Sequence, residues 1–283
     1  MRGANSLAFP KGAAGKRSMN RAFNTSRPWL PAVTPPPYLL LAVLLAGMAL
    51  GGCGDEGGQN SGGTNPGVYA NRVIGTPNII VPDGVTPEQW PYFFQTSAVI
   101  GPPLGTFDVL SLGYDPLALT PTLGGNVTVG LGDHNDSTDR VCAIDGEGVD
   151  LAVFENPFAA FDAGSELTGT NSEVVTIEVS EDNTDWYLIP WSVDTNRGLV
   201  EPQRYTNLGG VIPISEGGDV FDLADAIAYH GLPADFQACY IRLTDGGTAI
   251  DDYGNFQTDQ FKSGADIDAV GAFHYIAAPG LLP

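Results

Sequence analysis

The sequence predicts an all-β fold, an antiparallel β-sandwich of jelly-roll form that carries one short helix. Three observations support this prediction. Apolar and polar residues alternate over short stretches, Gly and Pro are frequent and widely spread, and long helical periodicity is scarce. Some eight such stretches, joined by polar and glycine-rich links, are typical of two packed antiparallel sheets.

The clearest stretch is a β-hairpin over residues 173–190, EVVTIEVSEDNTDWYLIP. Val175, Ile177 and Val179 recur with a period of two, which indicates a half-buried strand. The polar run 180–184 favours a turn, because Asp and Asn side chains hydrogen-bond local backbone groups. A second β-prone run follows and ends at a proline, which cannot donate to a ladder.

Further strands are predicted at Phe107–Leu112, Gly125–Leu131, Arg140–Ile144, Gly148–Glu155, Gln237–Thr244 and Ala265–Ile276. Alternation in the last of these places Ile267, Ala269 and Phe273 on one face and Asp266 and Asp268 on the other.

One short helix is predicted over Phe221–His230. Asp222 can cap its start, because its carboxylate can accept a hydrogen bond from a free backbone N–H of the first turn. Gly231 can end it in a left-handed conformation.

The N-terminal region predicts export. The first 54 residues contain basic but no acidic side chains, and their apolar run Tyr38–Leu50 has 13 residues. A bilayer span needs about 20 residues, so residues 1–52 are predicted to be a signal peptide of the bacterial lipoprotein kind, with Cys53 taking the lipid. An ordinary secretory signal is the alternative, and Met1 and Met19 are both possible starts.

The remaining chain divides into a tether and one domain. Residues 53–67 are almost free of apolar side chains, which predicts a flexible Gly/Asn/Ser-rich tether to the membrane. Residues 68–283 are long enough for a single large β-sandwich.

The charge of the chain predicts that nucleic acid is not a partner. All 33 acidic residues follow Cys53, together with only six basic ones, so the chain beyond the signal carries a net charge of −27. Such a surface repels nucleic acid and anionic lipid headgroups and attracts divalent cations. With the lipid anchor, this charge predicts a lipoprotein of the bacterial cell envelope, at the outer membrane or cell surface. The periplasmic face of the membrane is the alternative location.

Two further cysteines, Cys142 and Cys239, lie in predicted strands. Outside the cytoplasm such a pair often forms a disulfide, and two buried free thiols are the alternative.

The segments VTIEVSEDNTDWYLIP and ACYIRLTD resemble the hairpin and a later strand of discoidin-like, galactose-binding-like sandwiches. The order FDVLSLG, GGNVTVGL, GVDLAVFENPF, hairpin, YIRLTD, GADIDAVGA is similar to a family of lipid-anchored bacterial cell surface proteins. The resemblance implies their fold over roughly residues 95–275. The turn carries Asp182-Asn183 in place of Asp-Gly, and the last strand is acidic. Sugar binding is therefore not implied along with the fold.

A calcium site is predicted from an acidic, glycine-rich C-terminal region, because calcium takes six to eight hard oxygen ligands from flexible loops. The candidate ligands are Asp245, Asp251, Asp252, Asp266, Asp268 and, if its strand is adjacent, Glu155. The alternative is a solvated acidic loop.

Aromatic side chains offer a second candidate site. Trp186, Trp191 and Tyr253 could form a platform on which sugars stack, although large aromatics in sandwiches more often belong to the core.

No catalytic motif is present around His134, His230 or His274. We therefore expect a non-catalytic binding or structural module whose partners are glycans or other surface proteins. One alternative is a polysaccharide hydrolase that uses a carboxylate pair such as Glu155 and Glu173. The other is an accessory subunit of a surface assembly.

Overall fold

A computed structural model describes residues 65–81, 86, 88, 91–105, 109–113, 123–155, 158–161, 167–171, 173–197, 201–212, 214–250 and 264–278. All of these residues belong to a single structural unit, Asn60–Pro283. The predicted signal peptide and Cys53 lie outside the described residues, as does most of the predicted tether. None of the helices that the structure describes has the length and apolar character needed to cross a bilayer.

Short strands dominate the described part of the chain. They are β1 (Val68–Val73), β2 (Leu110–Ser111), β3 (Asn126–Gly132), β4 (Val141–Ile144), β5 (Leu151–Glu155), β6 (Phe158–Phe161), β7 (Leu167–Asn171), β8 (Val175–Ser180), β9 (Tyr187–Leu188), β10 (Ser192–Val193), β11 (Tyr205–Thr206), β12 (Asp219–Phe221), β13 (Gln237–Ala238), β14 (Tyr240–Asp245), β15 (Asp266–Ala272) and β16 (Tyr275–Ala277). The helices are α1 (Leu223–His230) and α2 (Gly247–Ile250), with 3-10 turns at Pro91–Phe93, Pro202–Arg204 and Ile214–Glu216.

Twelve of these strands form one curled antiparallel sheet, in the order β12-β5-β15-β1-β3-β14-β8-β9. Strand β2 joins β15, β4 joins β3, and β13 and β16 both pair with β4. The pairs β6–β7 and β10–β11 form separate two-stranded sheets. The all-β, antiparallel sandwich class with a short helix is confirmed.

The predicted hairpin is β8 and β9. Glu178 lies opposite Leu188, and Val179 lies opposite Tyr187. The three alternating residues of β8 are fully buried in the main core, as the period of two predicted. Strand β9 ends at Leu188, before the proline that was expected to stop it.

The turn of this hairpin has a backbone conformation that suits asparagine. Asn183 has a φ of +62°, a left-handed conformation that asparagine adopts more readily than most residues. The side chain of Asp182 accepts hydrogen bonds from the backbone N–H groups of Thr184 at 2.8 Å and Asp185 at 2.9 Å. The turn is thus held by local side-chain bonds of the predicted kind.

Helix α1 confirms the predicted caps. It begins at Leu223, two residues later than expected, with Asp222 accepting from the N–H of Ala224 at 2.8 Å. Gly231 ends it with a φ of +66°.

The predicted strand Gln237–Thr244 is two strands, because pairing changes at Cys239. Strand β13 pairs with β4, and β14 pairs with β3 and β8. In the first pairing Ala238 lies opposite Ala143, so the next pair in that register is Cys239 and Cys142. The structure contains the Cys142–Cys239 disulfide, with α-carbons 4.0 Å apart.

The prediction for the last strand is wrong in one respect. The register of β15 against β5 shifts between Ile267 and Ala269, a bulge that reverses the alternation of faces. Ile267 therefore packs in the main core, whereas Ala269 packs with Phe154 in a second cluster on the other side, to which Phe273 also belongs.

Other boundaries moved by a few residues. Strand β2 covers only Leu110–Ser111 of the predicted run 107–112, of which residues 107 and 108 are not described. Strand β5 begins at Leu151, and the last predicted strand is divided between β15 and β16.

Candidate functional site

Buried carboxyl groups are the unusual feature of this sandwich. Acidic side chains are rarely buried without a partner, because moving a charge out of water is costly. Among the described residues, six acids are at most 5 % exposed: Asp150, Glu155, Asp219, Asp245, Asp266 and Asp268. Alternation had placed Asp266 and Asp268 opposite the apolar face, but that side of β15 is covered as well.

Glu155 and Asp266 meet at one end of the β5–β15 strand pair. Glu155 ends β5 and lies opposite Ile267, and the backbone N–H of Asp266 donates to its Oε1 at 3.2 Å. Glu155 Oε2 and Asp266 Oδ1 are buried and have no hydrogen-bond partner among the described residues. The Ser111 side chain hydrogen-bonds the carboxyl of Asp266. Each unpartnered oxygen leaves a desolvation cost of about 1–3 kcal/mol that a bound proton or cation would offset.

Both carboxyls of this pair hold their protons more tightly than exposed carboxyls do. Burial raises the pKa of Glu155 well above its ordinary value, and the neighbouring acid Asp266 raises it further. Burial also raises the pKa of Asp266 to about 7, against the opposing effect of the Ser111 hydrogen bond. A bound metal ion would reverse this effect, because its charge favours the ionised form.

Asp245 joins the end of β14 to the start of β15. Its Oδ1 accepts from the N–H of Gly247 at 2.6 Å and its Oδ2 from the N–H of Ala265 at 2.7 Å. Burial raises its pKa to about 7 despite these bonds. Two glycines pack closely against the Asp245 carboxyl. A Cβ added to Gly124 would lie 2.6 Å from Oδ1, and a Cβ added to Gly264 would lie 2.5 Å from Oδ2.

Asp219 starts β12 and lies opposite Val153, two residues before Glu155. Its Oδ2 accepts from the N–H of Val211 at 2.9 Å, and both oxygens accept from Ile212 at 3.2 Å. Burial raises its pKa to about 7. Asp219 and Asp245 are thus satisfied by loop backbone, and they add negative potential around Glu155.

The structure brings together half of the predicted calcium ligands. Glu155, Asp245 and Asp266 lie close enough that Asp245 acts on the pKa of each of the other two. The carboxylate of Asp268 accepts from Leu104 at 3.2 Å and Gly105 at 2.7 Å, so it fastens a different loop. The remaining two, Asp251 and Asp252, lie outside the described residues.

A second acidic cluster, missed by the sequence analysis, is formed by Asp145, Asp150 and Asp222. One oxygen of each lies within 4.8 Å of the others. The oxygens of Asp150 are already in use, since Oδ1 accepts from the N–H of Gly146 and Oδ2 from that of Leu223. The predicted helix cap was a signal for Asp222, but nothing in the sequence linked that cap to residues more than 70 positions earlier.

The histidines have structural surroundings. His274 Nδ1 lies 2.8 Å from Asp150 Oδ1, and His230 Nε2 lies 2.9 Å from the carbonyl of Leu188. His134 is in an exposed polar loop.

An aromatic and charged cluster lies on the face of β8 and β14 that points away from the main core. Arg242 makes a two-pronged ion pair with Glu178, with both N···O distances at 2.7 Å. The guanidinium carbon lies 4.1 Å from the centre of the Trp186 ring. These three half-buried side chains combine an aromatic ring with fixed hydrogen-bonding groups, the two features that a polar ligand needs.

The other predicted aromatic ligands do not join this cluster in the described residues. Trp191 packs against a separate apolar cluster that includes Val174 and Leu208. Tyr253 lies outside the described residues.

Comparison with known proteins adds no relative: no family model and no curated sequence matches the chain.

Proposed function

We propose that this protein is a lipid-anchored, extracytoplasmic and non-catalytic module that binds carbohydrate at the bacterial cell envelope. The anchor would be the lipid on Cys53, with the acidic sandwich beyond the tether facing the glycan. The resemblance to lipid-anchored cell surface proteins is consistent with this assignment.

The single observation that carries the binding function is the Trp186–Arg242–Glu178 cluster. The ion pair fixes the planar guanidinium against the ring, so donors and acceptors are ordered before any ligand arrives. Preorganised polar groups beside an aromatic surface reduce the entropy cost of binding. A neutral glycan suits this surface better than a polyanion, because the surrounding chain is strongly acidic.

The disulfide supports the proposed extracytoplasmic location. Bonds such as Cys142–Cys239 form and persist in oxidising compartments and are rare in the cytoplasm.

The rival hydrolase draws no support from its carboxylate pair. Glu155 is fully buried, whereas a glycosidase needs both of its carboxyls at a cleft that the substrate enters.

A glycan array tests the proposed binding. The full chain is expected to bind a subset of neutral glycans, and Trp186→Ala is expected to lose that binding. The matched control is Tyr92→Ala, which removes an aromatic side chain that is 58 % exposed on another segment. Absence of glycan binding, or equal binding by both variants, would contradict the proposal.

Metabolic labelling tests the anchor. Labelled palmitate is expected in the membrane fraction on the wild-type chain and absent from Cys53→Ala. Label retained by the variant would contradict lipidation at Cys53.

A further inference from the structure

We infer that Glu155 and Asp266 bind one divalent cation between adjacent strands, and that calcium is the ion that fits best. The sequence spread this prediction over six acids. Of the four that the structure describes, two carry a buried oxygen without a hydrogen-bond partner. The inference does not depend on the proposed carbohydrate binding.

The two unpartnered oxygens carry the inference. Glu155 Oε2 and Asp266 Oδ1 are buried oxygens to which no group in the described part of the chain donates. The residues that hold them are in contact through the hydrogen bond from Asp266 N–H to Glu155 Oε1. The charged neighbours that act on Glu155 are acids, and no basic side chain among the described residues accounts for the pair. A cation between these oxygens would satisfy both of them and neutralise the local charge.

The neighbouring acids support the site without being its ligands. The oxygens of Asp245 and Asp219 already accept from backbone N–H groups, which fixes the loops beside the pair. Their negative charge deepens the potential that attracts a cation.

The ligand chemistry favours calcium over magnesium. Calcium accepts carboxylate, hydroxyl and carbonyl oxygens in irregular geometry at about 2.3–2.6 Å, whereas magnesium retains several waters and demands octahedral geometry. Ser111 could add a hydroxyl beside Asp266. Both oxygens are buried away from solvent, which disfavours an ion that must keep several waters.

The triad of Asp145, Asp150 and Asp222 is a weaker candidate. Its buried member, Asp150, has donors on both oxygens, including His274 at 2.8 Å. No unpartnered buried oxygen there calls for an ion.

The test is a thermal melt of the full chain after treatment with chelator, with and without calcium. We expect calcium at about a hundred times its Kd to raise Tm by about 5 to 10 °C, because a ligand that binds only the folded state stabilises it. We also expect equilibrium dialysis to show an ion retained with an affinity for calcium well above that for magnesium.

Variants locate the ion. Glu155→Gln keeps the size of the side chain but removes its charge, and it is expected to lose the calcium-dependent shift. Asp145→Asn is the matched control in the other acidic cluster and is expected to keep the shift. If Glu155→Gln does not fold, Asp266→Asn takes its place, and dialysis of the wild-type chain still measures binding directly.

Three results would overturn the inference. The first is a Tm that calcium does not change, which would mean that a proton alone satisfies the pair. The second is a calcium shift that survives in Glu155→Gln or Asp266→Asn. The third is a shift lost in Asp145→Asn, which would place the ion at that triad.

Discussion

The backbone N–H of Asp266 donates to Oε1 of Glu155 at 3.2 Å, while the second oxygen of each carboxyl is buried without a partner. This relationship follows from the antiparallel pairing of β5 and β15, which sets Glu155 opposite Ile267. The last residue of β5 and the first residue of β15 are thus two buried acids side by side. The stability of the sandwich should therefore respond to whatever occupies the space between them.

Stability should depend on pH in a direction opposite to that of exposed acids. The pKa values of Asp219, Asp245 and Asp266 are each raised by burial to about 7, from an ordinary value of 3.8. Between these values the folded state holds protons that the unfolded chain has released. The free energy of unfolding therefore falls as pH rises. Melts in chelator should show Tm falling from about pH 5 to about pH 7.5.

Two controls accompany this titration. Saturating calcium should reduce the fall or reverse it, because the ion replaces protons at the pair. His274→Gln, which removes a titratable group beside Asp150, should keep the fall. A calcium-free protein whose Tm rises over this range would disprove the raised pKa values.

Reduction of the disulfide should destabilise the domain. Cys142 and Cys239 are 97 residues apart, and closing a loop of that length stabilises a fold by about 2–5 kcal/mol. Guanidinium unfolding of the wild type should shift to a lower midpoint when reductant is added. The double variant Cys142→Ser/Cys239→Ser should start low and not respond to reductant. An unchanged wild-type midpoint would show that the bond does not constrain the unfolded chain.

The Arg242–Glu178 pair should show measurable coupling. A double-mutant cycle with Arg242→Ala and Glu178→Ala is expected to give a coupling energy of about 1 kcal/mol, because the pair is two-pronged and its side chains are only 28 % and 23 % exposed. Arg197 and Glu201 form the control pair, with more exposed side chains and a longer contact of 3.6 Å. The coupling energy of this control pair should be smaller than that of Arg242 and Glu178. A larger coupling energy in the control pair would argue against a fixed Trp186–Arg242–Glu178 cluster.

The hairpin turn should discriminate between small residues at position 183. With φ at +62°, Asn183→Ala should destabilise the fold by about 1 kcal/mol, because alanine lacks the short polar side chain that lets asparagine adopt the left-handed region. Asn183→Gly should be close to neutral, since glycine adopts this region readily. Denaturant unfolding measures both variants, and equal losses would mean that the side chain rather than the backbone conformation matters here.

Local pattern was sufficient for the parts of the fold that depend on local chemistry. The alternation around Ile177 predicted β8, and Asp222 and Gly231 predicted the ends of α1. The pattern failed at the bulge between Ile267 and Ala269, because a bulge adds one residue to one strand without any change in composition.

The candidate site was only partly predictable for a related reason. Glu155 was a conditional ligand whose inclusion depended on an adjacent strand, and its partner lies 111 residues later in the chain. Asp266 was expected to face away from the apolar side, but this sheet is covered on both faces there. Neither the pairing of distant strands nor the burial of a second face can be read from alternation alone.

The most direct measurement is anomalous diffraction from crystals grown with calcium and exposed at a long wavelength. A peak about 2.3–2.6 Å from both Glu155 Oε2 and Asp266 Oδ1 is the predicted result. Electron density that leaves these two oxygens without an ion, with or without a peak at Asp145, Asp150 and Asp222, would contradict it.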